Sequence, residues 1–179
     1  MVSGATMNVA ATPAHVPASA ALQQAWAVLA RVMDPEIPVL SVVDLGIVRF
    51  VEHDADGALR VGLSPTYSGC PAMEVIRASV AGALRDAGFA PVAVVDVLSP
   101  PWTSDWISEE GRRKLREYGI APPAEAVASP RHLVRPLLVA CPRCASHATE
   151  KLSEFGSTPC KALYRCTSCL EPFDYFKCI

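Results

Sequence analysis

The stretch PTYSGCPAME, residues 65–74, decides the fold of the first part of the chain. It places Cys70 between a predicted strand and a predicted helix, since Pro71 suits the first position of a helix. The apolar residues that follow recur on one helical face: Met73, Ile76, Val80, Leu84 and Ala87. Gly88 is then a helix stop. The pattern predicts a strand-to-helix junction with Cys70 at the N-cap.

Outward from this junction, the sequence predicts strands on both sides. GIVRFVE (46–52) and ALRVGLS (58–64) flank an Asp-Gly turn and read as a hairpin, and PVAVVDVL (91–98) reads as a third strand. Helices are predicted to start at Ser19 and at Ser108, which both suit a capping position. This mixture of elements predicts an α+β fold with a small mixed sheet.

The composition limits the function classes. The chain has 179 residues, is 51% apolar and carries a net charge of −2. Such a charge gives no electrostatic case for nucleic acid or an anionic membrane, and no apolar run is long enough to span a bilayer. Residues 1–18 lack the features of a signal peptide and are predicted to be a flexible leader. A cytoplasmic location follows by default, where thiols are usually reduced.

The C-terminal cysteines predict a metal site. CPRC places Cys141 and Cys144 at a two-residue spacing, CTSC does the same for Cys166 and Cys169, and 21 residues separate the pairs. Two such knuckles supply the four thiolates of a tetrahedral ion, which would stabilise a module too small for a large core. Zinc is favoured, iron in the same cage is the main alternative, and a pair of redox dithiols is the competing interpretation.

The boundaries of this module follow from composition. Residues 121–131 are rich in Pro and Ala and are predicted to be a linker between a domain at 19–120 and a metal-binding β ribbon at 132–179. Two cysteines lie outside the knuckles. Cys160 is interpreted as a packed thiol or a substitute ligand, and Cys178 as a thiol without a function. His147 is interpreted as a surface residue, because four sulfurs already complete a site.

Two features of the first domain carry possible chemistry. A thiolate at Cys70 would be favoured by the helix N-terminus and would be both a nucleophile and a soft metal ligand, although a buried structural cysteine is an equal alternative. The segment DPEIPVLSVVDLGIV (34–48) supplies the carboxylates of Asp34, Glu36 and Asp44. Their alternative role is to stop the preceding helix and to form turns.

These segments, together with SPPWTSDWISEEGRRKL (99–115), resemble the MIP18 family, which includes iron–sulfur assembly factors. The resemblance covers about residues 20–120 and implies a small α/β domain with a mixed sheet. It also implies functional positions at Asp34 and Glu36, at Asp44, and at Thr66 and Cys70. With the cysteine-rich tail, nearly the whole chain is similar to the PaaD family of 1,2-phenylacetyl-CoA epoxidase components.

That second resemblance implies a role in aerobic phenylacetate degradation. In that complex the chemistry belongs to a diiron oxygenase subunit and a reductase, while the PaaD component is a non-catalytic accessory protein. No diiron ligand set or flavin site is visible in this sequence. The resemblance therefore implies a maturation factor whose partners are the oxygenase or reductase subunits, with a second copy or a partner's ligand completing the Cys70 site.

On this hypothesis, Cys70 holds iron or an iron–sulfur cluster transiently, Asp34, Glu36 and Asp44 tune or ligate it, and Thr66 donates a hydrogen bond to the sulfur. The ribbon is a metal-stabilised module that docks on the oxygenase or the reductase subunit. Two rival hypotheses stay open: a structural or adaptor subunit with Cys70 buried, and an electron-transfer subunit with iron in the four-cysteine site. Trp102 and Trp106 are interpreted either as a partner surface or as packing over the sheet.

Overall fold

The computed structural model describes residues 19–67, 69–123 and 138–177. The predicted leader, most of the predicted linker, Ser68 and Cys178 lie outside these ranges. The elements in chain order are α1 (Ala20–Leu29), β1 (Val48–His53), β2 (Leu59–Leu63), α2 (Ala72–Asp86), β3 (Val92–Asp96), a 3-10 turn (Ser104–Trp106), α3 (Glu109–Tyr118), β4 (Ile120–Ala121), β5 (Thr149–Ser153), β6 (Lys161–Cys166) and β7 (Pro172–Phe176). No helix in the described part is long and apolar enough to cross a bilayer.

The first sheet is small and mixed, as predicted. β1 and β2 form an antiparallel hairpin, and β3 lies parallel to β2 on its other side. α2 is the crossover between the two parallel strands, and α1 packs against α2 and β1. At the hairpin turn, the Asp54 carboxylate accepts hydrogen bonds from the backbone N–H groups of Asp56 and Ala58 at 3.0 and 2.8 Å.

The predicted helix caps are confirmed at both serines. The Ser19 hydroxyl accepts from the Leu22 N–H, and the Ser108 hydroxyl accepts from the Gly111 N–H. α2 differs from the prediction by one residue, because Pro71 is itself the N-cap and Cys70 lies one position before it. A proline has no N–H to satisfy, so it can occupy the flanking position without losing a hydrogen bond.

The C-terminal sheet has the strand order β4–β7–β6–β5. The ribbon strands β5, β6 and β7 pair antiparallel to one another, whereas β4 pairs with β7 in parallel. β4 follows α3 directly, so the first part of the chain contributes an edge strand to the ribbon sheet. Ala121, which the sequence places in the linker, therefore lies in a strand.

The core of the first domain reaches into the ribbon. Cys160 and Phe176 are buried in the same cluster as the residues of β1, β2 and α2. The Phe176 ring lies 6.1 Å from the Trp102 ring, measured between centroids. Trp102 is 4% exposed, and the Arg49 guanidinium covers the Trp106 ring at 3.3 Å. Both tryptophans therefore pack within the fold, which favours the packing interpretation over a free partner surface.

Candidate metal centres

The four cysteines of the two knuckles converge in the ribbon. The Sγ atoms of Cys141 and Cys169 are 3.7 Å apart, and those of Cys144 and Cys166 are 3.6 Å apart. All four sulfurs lie within 4.8 Å of one another. A tetrahedral zinc with Zn–S bonds of about 2.3 Å requires sulfurs about 3.8 Å apart. The cluster therefore has the dimensions of a four-thiolate site for one metal ion.

The backbone of each knuckle is shaped around its sulfurs. The residue after each second cysteine has a left-handed conformation, with φ of 59° at Ala145 and 64° at Leu170. In the first knuckle the Ala145 N–H donates to the Cys141 carbonyl at 2.9 Å. In the second, the backbone N–H groups of Cys169 and Ser168 stabilise the thiolate of Cys166 and lower its pKa to about 6. A stabilised thiolate at this position favours metal binding.

Glycine at the left-handed positions is expected to stabilise the ribbon. A non-glycine residue in this conformation costs about 1–2 kcal/mol, so Ala145→Gly should raise the free energy of unfolding by about 1 kcal/mol. Ala145 is exposed, so little packing is lost. Urea denaturation of the metal-loaded protein measures the change. Ala148→Gly is the control, since Ala148 is exposed and has no positive φ. A loss of stability in Ala145→Gly, equal to that of the control, would contradict the expectation.

Cys70 lies in the wall of a small cavity in the first domain. The cavity has a volume of about 20 Å³. The polar side chains in its wall are Asp34, Glu36, Thr66, Cys70 and Cys160, and the apolar ones are Ile37, Leu45, Ile47, Met73, Ile76 and Phe176. Cys70 is half-buried, between full burial and exposure. Four of the five residues predicted for the transient site therefore line one cavity.

Asp34 and Glu36 form a turn after α1 and also line the cavity. One Asp34 carboxylate oxygen accepts from the backbone N–H groups of Glu36 at 2.8 Å and Ile37 at 2.7 Å, which closes the turn after α1. Burial raises the pKa of the Asp34 carboxyl. Burial and the nearby Asp34 charge raise the pKa of Glu36, while Lys161 opposes both shifts. The turn thus also presents two acidic groups to the cavity.

Asp44, the fifth predicted residue, lies elsewhere, and here the prediction needs correction. Its carboxylate accepts hydrogen bonds from the Ser41 N–H at 3.0 Å and the Ser41 hydroxyl at 2.8 Å, and it forms an ion pair with Lys114 at 2.7 Å. Burial acts to raise the pKa of Asp44, but the Lys114 and Ser41 contacts outweigh it, so the pKa is lowered. Asp44 is not part of the cavity wall. Its ion pair with Lys114 connects α3 to the loop before β1.

Cys160 is the cavity residue whose position the sequence does not predict. It comes from the ribbon, directly before β6, and is only 5% exposed. The Thr158 hydroxyl lies 3.0 Å from its sulfur. Burial raises the pKa of the Cys160 thiol, and the Glu36 charge adds to this effect. No spacing rule could connect Cys160 to Cys70, because their place in one cavity wall depends on how the ribbon packs on the first domain.

Tyr67 lies three residues before Cys70, and the sequence suggests its hydroxyl as a hydrogen-bond donor to that sulfur. The hydroxyl is buried and interacts with the Cys70 thiol. Burial and then the neighbouring Cys70 thiol raise the pKa of Tyr67 to about 12, with smaller effects of the same sign from Glu36 and Cys160. The hydroxyl therefore interacts mainly with the Cys70 thiol.

The family models agree with the two halves of this structure. A model described as an iron–sulfur cluster assembly protein matches residues 22–97, and one described as the PaaD zinc beta ribbon domain matches residues 128–177. Fold and cysteine cluster together define a two-part protein, an α+β domain of the iron–sulfur assembly type followed by a zinc-ribbon module. The chain belongs to the PaaD family of 1,2-phenylacetyl-CoA epoxidase components, as its similarity to known proteins shows.

Three known proteins illustrate this similarity. A protein of Escherichia coli strain K12, named as a subunit of 1,2-phenylacetyl-CoA epoxidase, is 53% identical over 158 residues, which are 88% of this chain and 93% of that protein. The Fe–S protein maturation auxiliary factor YitW of Bacillus subtilis strain 168 is 35% identical over 49% of this chain and 85% of its own length. A crystal structure of a DUF59 domain from Bacillus anthracis, 27% identical, covers 52% of this chain and 89% of that one with a TM-score of 0.48.

Proposed function

We propose that this protein is a non-catalytic accessory factor that helps to mature the phenylacetyl-CoA epoxidase complex. In this role Cys70 holds iron or an iron–sulfur cluster transiently and passes it to the oxygenase or the reductase subunit. The relatives support an accessory, maturation-type role, since one is named as a subunit of this complex and others as Fe–S protein maturation factors.

One observation carries the proposal: Cys70 lies at the edge of a cavity with Asp34, Glu36 and Thr66 in its wall. A thiolate with nearby carboxylates can bind an iron centre, and an incomplete ligand set allows that centre to leave again. The four-cysteine cluster is unsuited to this task, because its four sulfurs already complete a tetrahedral site. We assign it a structural zinc ion and the role of holding the ribbon in shape.

The test is maturation of the epoxidase with a Cys70→Ser variant. The oxygenase and reductase subunits are co-expressed with the wild-type chain or with the variant, and their iron content and epoxidase activity are measured. We expect Cys70→Ser to lower both at least tenfold while its circular dichroism and zinc content stay unchanged. Cys178→Ser is the matched control for loss of one sulfur. Fully active, iron-loaded epoxidase with Cys70→Ser would rule out the carrier role.

The alternative is a structural or adaptor subunit, and one observation favours it. Several large apolar side chains are exposed on the ribbon, where they could contact another subunit: Leu138, Leu152, Phe155 and Leu170. An adaptor would co-purify in fixed stoichiometry with the active oxygenase, whereas a maturation factor would be absent from the finished complex. Purification of the tagged oxygenase after maturation, followed by subunit quantification, distinguishes the two.

A further inference from the structure

Two thiols from different parts of the protein share one cavity. Cys70 precedes α2 in the first domain, and Cys160 precedes β6 in the ribbon. Glu36 lies in the same wall. We infer that Cys70 and Cys160 together form a two-thiolate site for one iron(II) ion, so that the ribbon supplies the second sulfur. The inference rests on the proposed function at Cys70 and adds both the second ligand and the form of the iron.

The size of the enclosed part of the cavity suits a single ion. A single buried water needs about 10–15 Å³ on the scale used for such cavities, and this cavity measures about 20 Å³. It therefore has room for one ion or one water. The cavity is open to solvent on one side, and a single iron(II) ion is the form of iron that its enclosed part can hold.

The ligand set is incomplete, as an exchangeable site requires. In the part of the chain that the structure describes, only the ribbon quartet brings three or more ligand atoms within 4.8 Å of one another. The cavity offers two sulfurs, and water or a group of the receiving subunit would fill the remaining positions. An open coordination position is what separates reactive metal sites from closed structural ones. The same opening gives a receiving subunit access to the ion.

Two hydroxyl groups are positioned to support negatively charged sulfurs. The Tyr67 hydroxyl is buried and interacts with the Cys70 thiol, so it can donate to the sulfur when that sulfur is ionised. The Thr158 hydroxyl lies 3.0 Å from the Cys160 sulfur and can donate to it. Hydrogen bonds to an ionised acceptor are stronger than those between neutral groups. The cavity therefore provides one donor for each thiolate.

A two-thiolate site within one chain changes what the ribbon does. Sequence reasoning expects a second copy of the chain or a partner's ligand to complete the Cys70 site. Here the second sulfur comes from the same chain, across the contact that also buries Phe176 against Trp102. The ribbon thus becomes part of the iron site, and loss of its structure would remove one of the two sulfurs.

Iron K-edge X-ray absorption on the full-length wild-type protein tests this directly. The chain is loaded with one equivalent of zinc and then, without oxygen, with one equivalent of iron(II). Absorption at the iron edge does not detect the zinc site. Zinc binds four thiolates more tightly than iron does, so the zinc ion should stay in the four-cysteine site. We expect two sulfur neighbours at about 2.3 Å, with oxygen or nitrogen completing the shell. One sulfur, four sulfurs with zinc released, or no bound iron would each overturn the inference.

Variants then assign the sulfurs. Cys160→Ala and Cys160→Ser should each leave one sulfur on the iron and weaken iron binding at least tenfold, as should Cys70→Ser, whereas Cys178→Ser should leave both quantities unchanged. Two Cys160 variants are used because a serine at this buried position could disturb folding, and zinc content with circular dichroism checks that the ribbon is intact. If the Cys160 variants keep two sulfurs on the iron, the inference is wrong.

The two experiments separate the two levels of the hypothesis. Loss of epoxidase maturation in Cys70→Ser, combined with a single sulfur on the iron of the wild-type protein, overturns the two-thiolate site and leaves the proposed function standing. Two sulfurs on the iron, combined with full maturation by Cys70→Ser, support the site and overturn its proposed role in maturation.

Discussion

Removal of the metal from the four-cysteine cluster is expected to unfold the ribbon. Among the described residues, the buried cluster confined to this module has seven members, two of which are metal ligands themselves: Ala121, Val139, Cys141, Ala162, Cys166, Phe173 and Tyr175. Structural zinc contributes about 10–16 kcal/mol of apparent binding free energy in small zinc modules. A core of this size cannot replace such a contribution, so β5, β6 and β7 should lose their hydrogen-bonded pairing without the ion.

Hydrogen exchange with and without a strong chelator measures this effect. In the metal-loaded protein, amide groups in β6 and β7 should be protected, and after chelation they should exchange at rates close to those of an unfolded chain. Cys166→Ser should give the same result without chelator, because it removes one ligand and leaves a hydroxyl in a buried position. Cys178→Ser is the matched control. Protection in β6 that survives complete loss of metal would show that packing alone holds the ribbon.

The loss should extend beyond the ribbon to the Cys70 cavity. Cys160 and Phe176 form part of that wall, and both belong to the ribbon strands or their immediate flanks. Without them the Trp102 ring loses its contact with Phe176 and becomes exposed to water. Chelation should therefore shift tryptophan fluorescence to longer wavelength and increase the reactivity of Cys70 towards thiol reagents.

The sequence predicts the parts of this protein that depend on local spacing. The mixed sheet and the serine caps follow from hydrophobic periodicity and from side chains that act within a few residues of themselves. The four-cysteine cluster follows from two short knuckles whose geometry is nearly self-contained. The caps and the individual knuckles come from contacts close in sequence, and a short pattern is enough to specify them.

Asp44 and Cys160 show where that reasoning stops. Nearness in sequence groups Asp44 with Asp34 and Glu36, yet Lys114, 70 positions away, engages its carboxylate. No pattern groups Cys160 with Cys70, since the two come to line one cavity only when the ribbon packs on the first domain. Both outcomes depend on contacts between distant segments, which a single sequence does not reveal.

Gly46→Ala is expected to be the most destabilising single substitution in the loop before β1. Gly46 has a φ of 67°, and a Cβ built there would lie 2.2 Å from the Trp106 carbonyl oxygen and 2.7 Å from the Trp106 Cβ. The left-handed backbone costs about 1–2 kcal/mol for alanine, and overpacking adds about 1–3 kcal/mol. The free energy of unfolding should therefore fall by about 3 kcal/mol or more.

The close approach at Gly46 is part of a wider contact between two loops. The Trp102 indole N–H donates to the Leu45 carbonyl at 3.0 Å, and the Ser108 N–H donates to the Asp44 carbonyl at 2.9 Å. These bonds join the Asp-Leu-Gly segment to the loop that leads into α3. Because Leu45 also lies in the wall of the cavity, a displaced loop should change iron binding as well as stability.

Gly57→Ala provides the matched control for this prediction. Gly57 also has a left-handed backbone, with a φ of 82°, but a Cβ there would meet no atom within 4 Å. Its substitution should cost only the backbone contribution of about 1–2 kcal/mol. Urea denaturation of both variants, followed by circular dichroism, isolates the steric contribution as the difference between them. If Gly46→Ala is no less stable than Gly57→Ala, the loop can move away from Trp106 at little cost, and the contact between the two loops does not hold the cavity wall in place.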